Sequence, residues 1–267
     1  MSIDENGFLS PAVDAFRTLL RGRWAEYFKH AETAAKACHD SKFKFVVHVE
    51  NGQEVFTVGL FLKAVADVEG ALLLLERGMT SQAHSLLRVA IECEITLAKV
   101  CESAEFARAY ALIAEQQRLR LIKGIHKTAP GHFKDLKAEL TGEVVDDLVA
   151  KLKASSAEKN LEQWAGEVGL GTVYHSSYRL YCDDVHSGAS ALASTFVTGD
   201  EQTITGLNWG PDSEEDFRPA LLEAARVLLD ILQRGARLFN VALGGEFDEL
   251  LLEQKRLEDL VVKEGAK

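Results

Sequence analysis

Proline and cysteine are scarce, with four of each in 267 residues, and each scarcity removes a class of protein. Cys38, Cys93, Cys101 and Cys182 show no C-x-x-C spacing, which argues against a zinc knuckle or a disulfide framework and for reduced thiols in a cytoplasm. Basic residues are also short: 30 Lys and Arg face 41 Asp and Glu, a net charge of -11. That balance excludes the broad positive footprint that duplex DNA or an anionic membrane surface requires. No apolar run is long enough to cross a bilayer, because residues 58–75 are interrupted by Lys63, Asp67 and Glu69. The first residues, MSIDENGFLSP, carry acid where a secretory signal carries positive charge, so a cytoplasmic location is expected. Also missing are G-x-x-x-x-G-K-S/T, a helix-opening G-x-G-x-x-G and G-x-S-x-G. Nucleotide hydrolysis, dinucleotide chemistry and α/β-hydrolase chemistry therefore have no support, and no cofactor is expected.

What remains is an ordinary globular composition, 47% hydrophobic and 27% charged, patterned for helices. Ser10-Pro11 opens a helical pattern that runs to about Ala37. The run KFKFVVHVE, then Asn51-Gly52, then QEVFTV, reads as a β-hairpin about a type I′ turn. A long apolar helix from about Phe56 to Arg77 stops at Gly78, and Thr80 or Ser81 caps the next, which runs to about Cys101. The short connection makes the two an antiparallel pair. Further helices are expected from Ser103 to Pro130, over residues 132–157, near Leu161 to Val168, and from Ser213 to Leu243. The expected fold is all-α, a multi-helix bundle with a small β-hairpin insertion near residues 43–58. One domain over residues 1–267 is expected, with an N-terminal helix over 1–41, the hairpin over 42–58, a core over 55–243 and a charged C-terminal helix over 246–263.

Two helices carry reactive side chains in rows. In TVYHSSYRLYCDDVHSGASALASTFV, residues 172–197, His175, Arg179, Asp183 and His186 recur at helical spacing along one stripe. Leu180, Val185, Leu192 and Phe196 are expected to hold the other side in a core. The helix from Ser81 to Val100 is apolar almost all round yet bears His84, Arg88, Glu92 and Thr96 on one line. An enclosed charge needs a partner, so the two stripes are expected to face each other, Arg88 near Asp183 and Glu92 near Arg179 or His186. Tyr178 completes the cluster. Such a cluster is either a structural device or a site.

The run LLRVAIECEITLAKV, followed about ninety residues later by YRLYCDDVHSG, resembles a bacterial helical family of domains of unknown function, family 5677. That resemblance implies an all-helical fold and no settled activity. A looser similarity is to the R-x4-6-H motif of HEPN-type proteins, often metal-independent ribonucleases of toxin and phage-defence systems. It places Arg179 and His186 as catalytic residues, although Leu180 stands where those proteins usually have a polar residue. It also implies a homo-oligomer sharing a cleft, RNA as substrate, and an antitoxin or defence protein as partner. Cys182 and His186 stand i, i+4, but no glutamate lies between them and Cys182 points off the stripe, so no metal site is assigned. Against the ribonuclease stands a non-catalytic interaction module in which the cluster holds the bundle in register.

Overall fold

The structure, a computed structural model, describes residues 6–128, 160–185, 192, 196–199, 203–207 and 217–265. The segment expected to be helical over residues 132–157 lies outside them, as does His186. The fold is all-α: α1 (Ala12–Arg23), α2 (Ala25–Lys42), α3 (Gly52–Leu75), α4 (Thr80–Glu102), α5 (Ala104–Thr128), α6 (Leu161–Glu167), α7 (residues 171–185), α8 (Phe217–Leu238) and α9 (Gly245–Gly265). A two-stranded antiparallel ribbon, β1 (Phe196–Thr198) and β2 (Ile204–Leu207), pairs Phe196 with Leu207 and Val197 with Gly206. No helix among the described residues is long and apolar enough to cross a membrane.

The hairpin expected at 43–58 is not there; the ribbon is 150 residues further on, and residues 52–58 are helix. Asn51 does not turn a hairpin but caps α3, its side-chain oxygen accepting from the backbone N–H of Gln53 at 3.2 Å and of Glu54 at 3.4 Å. Glu54, three residues on, accepts from Asn51 Nδ2 at 2.7 Å and from the backbone N–H of His48 at 2.7 Å. The arrangement resembles a capping box except that Glu54 takes the side-chain amide of Asn51, whose backbone N–H donates to the His48 carbonyl at 2.9 Å; N-x-x-E before an apolar run was its signal. The extended residues before it are held by Phe45, whose ring packs against Phe61 at 5.3 Å and Phe239 at 4.7 Å. Gly235 makes room, since a Cβ there would meet Phe45 Cζ at 3.3 Å.

The N-terminal pattern is two helices rather than one, broken at Trp24, where φ is -110° and ψ 32°. The break lets α1 turn back along the bundle, where Arg17 and Arg21 both reach the buried Glu76 beyond α3, at 2.8 and 2.9 Å. α3 and α4 form the antiparallel pair, joined through Gly78 at φ +79°, a left-handed conformation that glycine adopts without a Cβ clash. α8 lies across α2, α3 and α4, burying Phe217, Leu221, Leu228, Ile231 and Leu232. As a result α4 is enclosed by α3, α5, α6, α7 and α8, and none of residues 83–100 is exposed.

The cap at Asn51 yields a direct test. Asn51→Ala is expected to cost about 1 kcal/mol, read as a lowered urea midpoint with unchanged slope. A variant as stable as wild type would show that the cap contributes nothing.

Candidate functional site

Enclosure forces the polar side chains of α4 to find partners, and α7 supplies them. α7 is composite: Gly171–Val173 is α-helical, Tyr174–Tyr178 forms a π-helical turn, and Arg179–Val185 is α-helical again. A π turn holds an extra residue and shifts the phase of everything after it. Its effect is to stack the rings of Tyr174 and Tyr178, 5.0 Å apart and inclined by 18°, and to turn Tyr178, Tyr181 and Cys182 toward α4.

The two helices meet, as their charged rows suggested, but with other partners. Arg88 Nε donates to Cys182 Sγ at 3.2 Å and Nη2 to the Tyr178 hydroxyl at 3.1 Å, with the guanidinium 5.1 Å from the centre of the Tyr178 ring. Burial pushes the Tyr178 hydroxyl above its usual pKa, so it stays protonated and its oxygen accepts from Arg88. His84, which is buried, joins Asp184 rather than Asp183 through Nδ1 at 2.6 Å, and its ring stacks on Tyr181 at 4.3 Å. Glu92 lies one turn beyond Arg88, and its backbone carbonyl accepts from Thr96 Oγ1 at 2.8 Å. Its charge acts on Arg88, one of the causes that hold that guanidinium above its usual pKa against burial.

His175, Arg179 and Asp183, the expected inward stripe, are exposed instead. Arg179 lies 6.0 Å from the centre of the Tyr174 ring. The supposed apolar side is exposed too: Leu180 is 65% and Val185 37% open, and Phe196 belongs to a strand rather than this helix. Tyr174, Tyr178 and Tyr181 at i, i+4 and i+7 were the legible signal of the buried face. A tyrosine counted as polar hides it, because its ring is what packs. Tyr181, Cys182 and Asp184 are accordingly the site residues that sequence reasoning missed.

A second charge on α4 was also missed. Glu94 is fully buried and receives both guanidinium nitrogens of Arg226 from α8, at 2.6 and 2.8 Å, while Arg226 also reaches Glu223 at 2.8 Å. Burial pushes the Glu94 carboxyl up to about 8, against the opposing pull of Arg226. Burial likewise raises the Cys101 thiol to about 11, so it is no nucleophile at neutral pH. Among the described residues no group of three or more His, Cys, Asp or Glu could hold a metal ion.

Fold and seam together define a helical bundle in which a partly π-helical segment is clamped by polar contacts onto an enclosed central helix. The model of a family of unknown function, DUF5677, matches residues 54–204, more than half of the chain, and the chain belongs to that family. The matched stretch contains both halves of the clamp. Among curated proteins and solved structures, nothing matches.

Two measurements check these contacts. In a double-mutant cycle, His84→Ala and Asp184→Ala should each destabilise and couple by about 1–3 kcal/mol, whereas Arg179→Ala should stay within about 0.5 kcal/mol of wild type. Additive losses would show that the pair does not hold the seam. For Glu94, an unfolded glutamate titrates near about 4.3, below its folded value, so the native state binds the extra proton between those limits and stability falls as pH rises. Wild type should lose stability relative to Glu94→Gln between about pH 5 and pH 8 in denaturant titrations; parallel pH curves would contradict the raised value.

Proposed function

We propose that the protein is a metal-independent endoribonuclease of the HEPN type, serving a toxin or phage-defence role as a homodimer, with Arg179 and His186 at the scissile phosphate. The observation that supports this reading is the division of α7 into two faces. Tyr178, Tyr181, Cys182 and Asp184 clamp one face to α4, and the face bearing Arg179 and Asp183 is left to solvent. His186 follows Arg179 by seven residues, close to two helical turns, so a continuing helix would carry both on one side about 10 Å apart along the axis.

In this reading His186 removes the proton of a ribose 2′-hydroxyl, the 2′-oxygen attacks phosphorus, and the bond from phosphorus to the 5′-oxygen breaks. The leaving oxygen takes a proton, and a cyclic 2′,3′-phosphate and a 5′-hydroxyl result. Arg179 holds the negative charge on the phosphoryl oxygens as it builds up. His84, Arg88, Tyr178 and Asp184 touch no substrate and keep the helix rigid. The chain's net charge of -11 confines RNA contact to the neighbourhood of Arg179.

The alternative, a non-catalytic interaction module, draws on the inward groups, which pair with one another across the seam. RNA incubated with the pure protein in EDTA separates the two readings. Cleavage leaving cyclic phosphate ends, and its loss in both Arg179→Ala and His186→Ala, is expected of the nuclease. Wild-type protein inert on a panel of structured and single-stranded RNAs would favour the module, and cleavage that survives both substitutions would overturn the assignment of Arg179 and His186.

A further inference from the structure

The run KFKFVVHVE, residues 42–50, has the β-branched and aromatic texture of a strand, yet it pairs with no strand among the described residues. Of its apolar side chains Phe45 alone is buried, against Phe61 and Phe239. Phe43, Val46 and Val49 are 84%, 68% and 89% open, and Val47 and, in the first turn of α3, Val55 are exposed as well. Apolar side chains gathered this densely on a surface mark a place that another molecule covers.

The backbone narrows what that molecule is. His48 is occupied by its own chain: its N–H donates to Glu54 Oε2 at 2.7 Å, and its carbonyl accepts from the Asn51 N–H at 2.9 Å. Successive residues of an extended chain point their amides to opposite edges, so the N–H and C=O of Val47 turn the other way, and neither has a hydrogen-bond partner among the described residues. Phe45, held in the core, and the turn from His48 to Asn51 confine any pairing to Val47. The charges then set the direction. Lys44 and Glu50 stand three residues to either side of Val47, both exposed and neither in an ion pair among the described residues. An apolar run with one charge of each sign at its two ends is complementary to the same run reversed.

We propose that this run is a self-association surface, on which a second copy of the chain packs about a twofold axis through Val47. The two Val47 residues exchange both backbone hydrogen bonds, Phe43, Val46 and Val49 of both copies leave water, and Lys44 of each copy reaches the partner's Glu50. This gives a place to the dimer of the ribonuclease reading, but its test reads association and not RNA cleavage, so either can fail alone.

Sedimentation velocity on the full chain tests it. At about 100 μM and low salt, wild type is expected to be dimeric. Lys44→Glu and Glu50→Lys should each raise the dissociation constant about tenfold or more, because each dimer then holds two like-charge contacts. An equal mixture of those two variants should recover wild-type association as a heterodimer, since both pairs across the axis are again of opposite sign. Val47→Pro removes an N–H that the single chain does not use, and should abolish the dimer while circular dichroism stays unchanged. Should that variant misfold, the two charge reversals decide, because both lie at exposed positions. A monomeric wild type, a dimer indifferent to the charge reversals, or a mixture that stays monomeric would overturn the proposal.

Discussion

The whole structure depends on the enclosure of α4. A helix walled in by five others has little water to satisfy its polar side chains, so the polar groups it turns inward largely dictate what lies opposite. The buried Glu94 carboxyl requires donors, and Arg226 on α8 provides its two terminal nitrogens. Arg88 requires acceptors, and α7 brings the Tyr178 hydroxyl and the Cys182 sulfur. His84 takes Asp184. Apolar contact can slide along a helix at little cost, but these pairs cannot, so the positions of α7 and α8 along α4 are set by hydrogen-bond geometry as much as by packing.

The π turn at Tyr174–Tyr178 is the local departure that makes this docking work. From the end of that turn Tyr178, Tyr181 and Cys182, spaced i, i+3 and i+4, share one line facing α4, and Arg179 and Asp183 lie on the exposed side. A helix arranged in this way can present a cationic side chain at a reproducible position, which is what recognition of a phosphate demands. The cleft between α2 and α9, by contrast, is built from helices outside the matched stretch, and its buried His30 is held by Gln254 through Nε2 alone.

Much of the bundle could be read from the residues in order. Gly78 marked the α3–α4 turn because a left-handed position is a local event, whereas neither Thr80 nor Ser81 caps α4, which starts from Met79 without a side-chain cap. The apolar texture of α4 announced its enclosure, but the charged row His175, Arg179 and Asp183 faces solvent, and the helix near 180 meets α4 through Tyr178, Tyr181, Cys182 and Asp184. Asn51-Gly52 misled because the same asparagine serves a hairpin turn and a helix cap equally well. Glu54 three residues later favoured the cap, and the fit of Phe45 between Phe61 and Phe239 kept the preceding residues from pairing as a strand.

By itself, then, the chain determined what depends on near neighbours and on periodicity: the helices, most of their ends, and the absence of a membrane-crossing helix among the described residues. Only tertiary packing decided which edge of α7 turned inward, that Asp184 rather than Asp183 closed on His84, and that Arg226 answered Glu94 from 132 residues away. The reason is physical. One extra residue in a helical turn rotates all that follows by about 100°, and whether that rotation is stable depends on partners brought near by the fold alone.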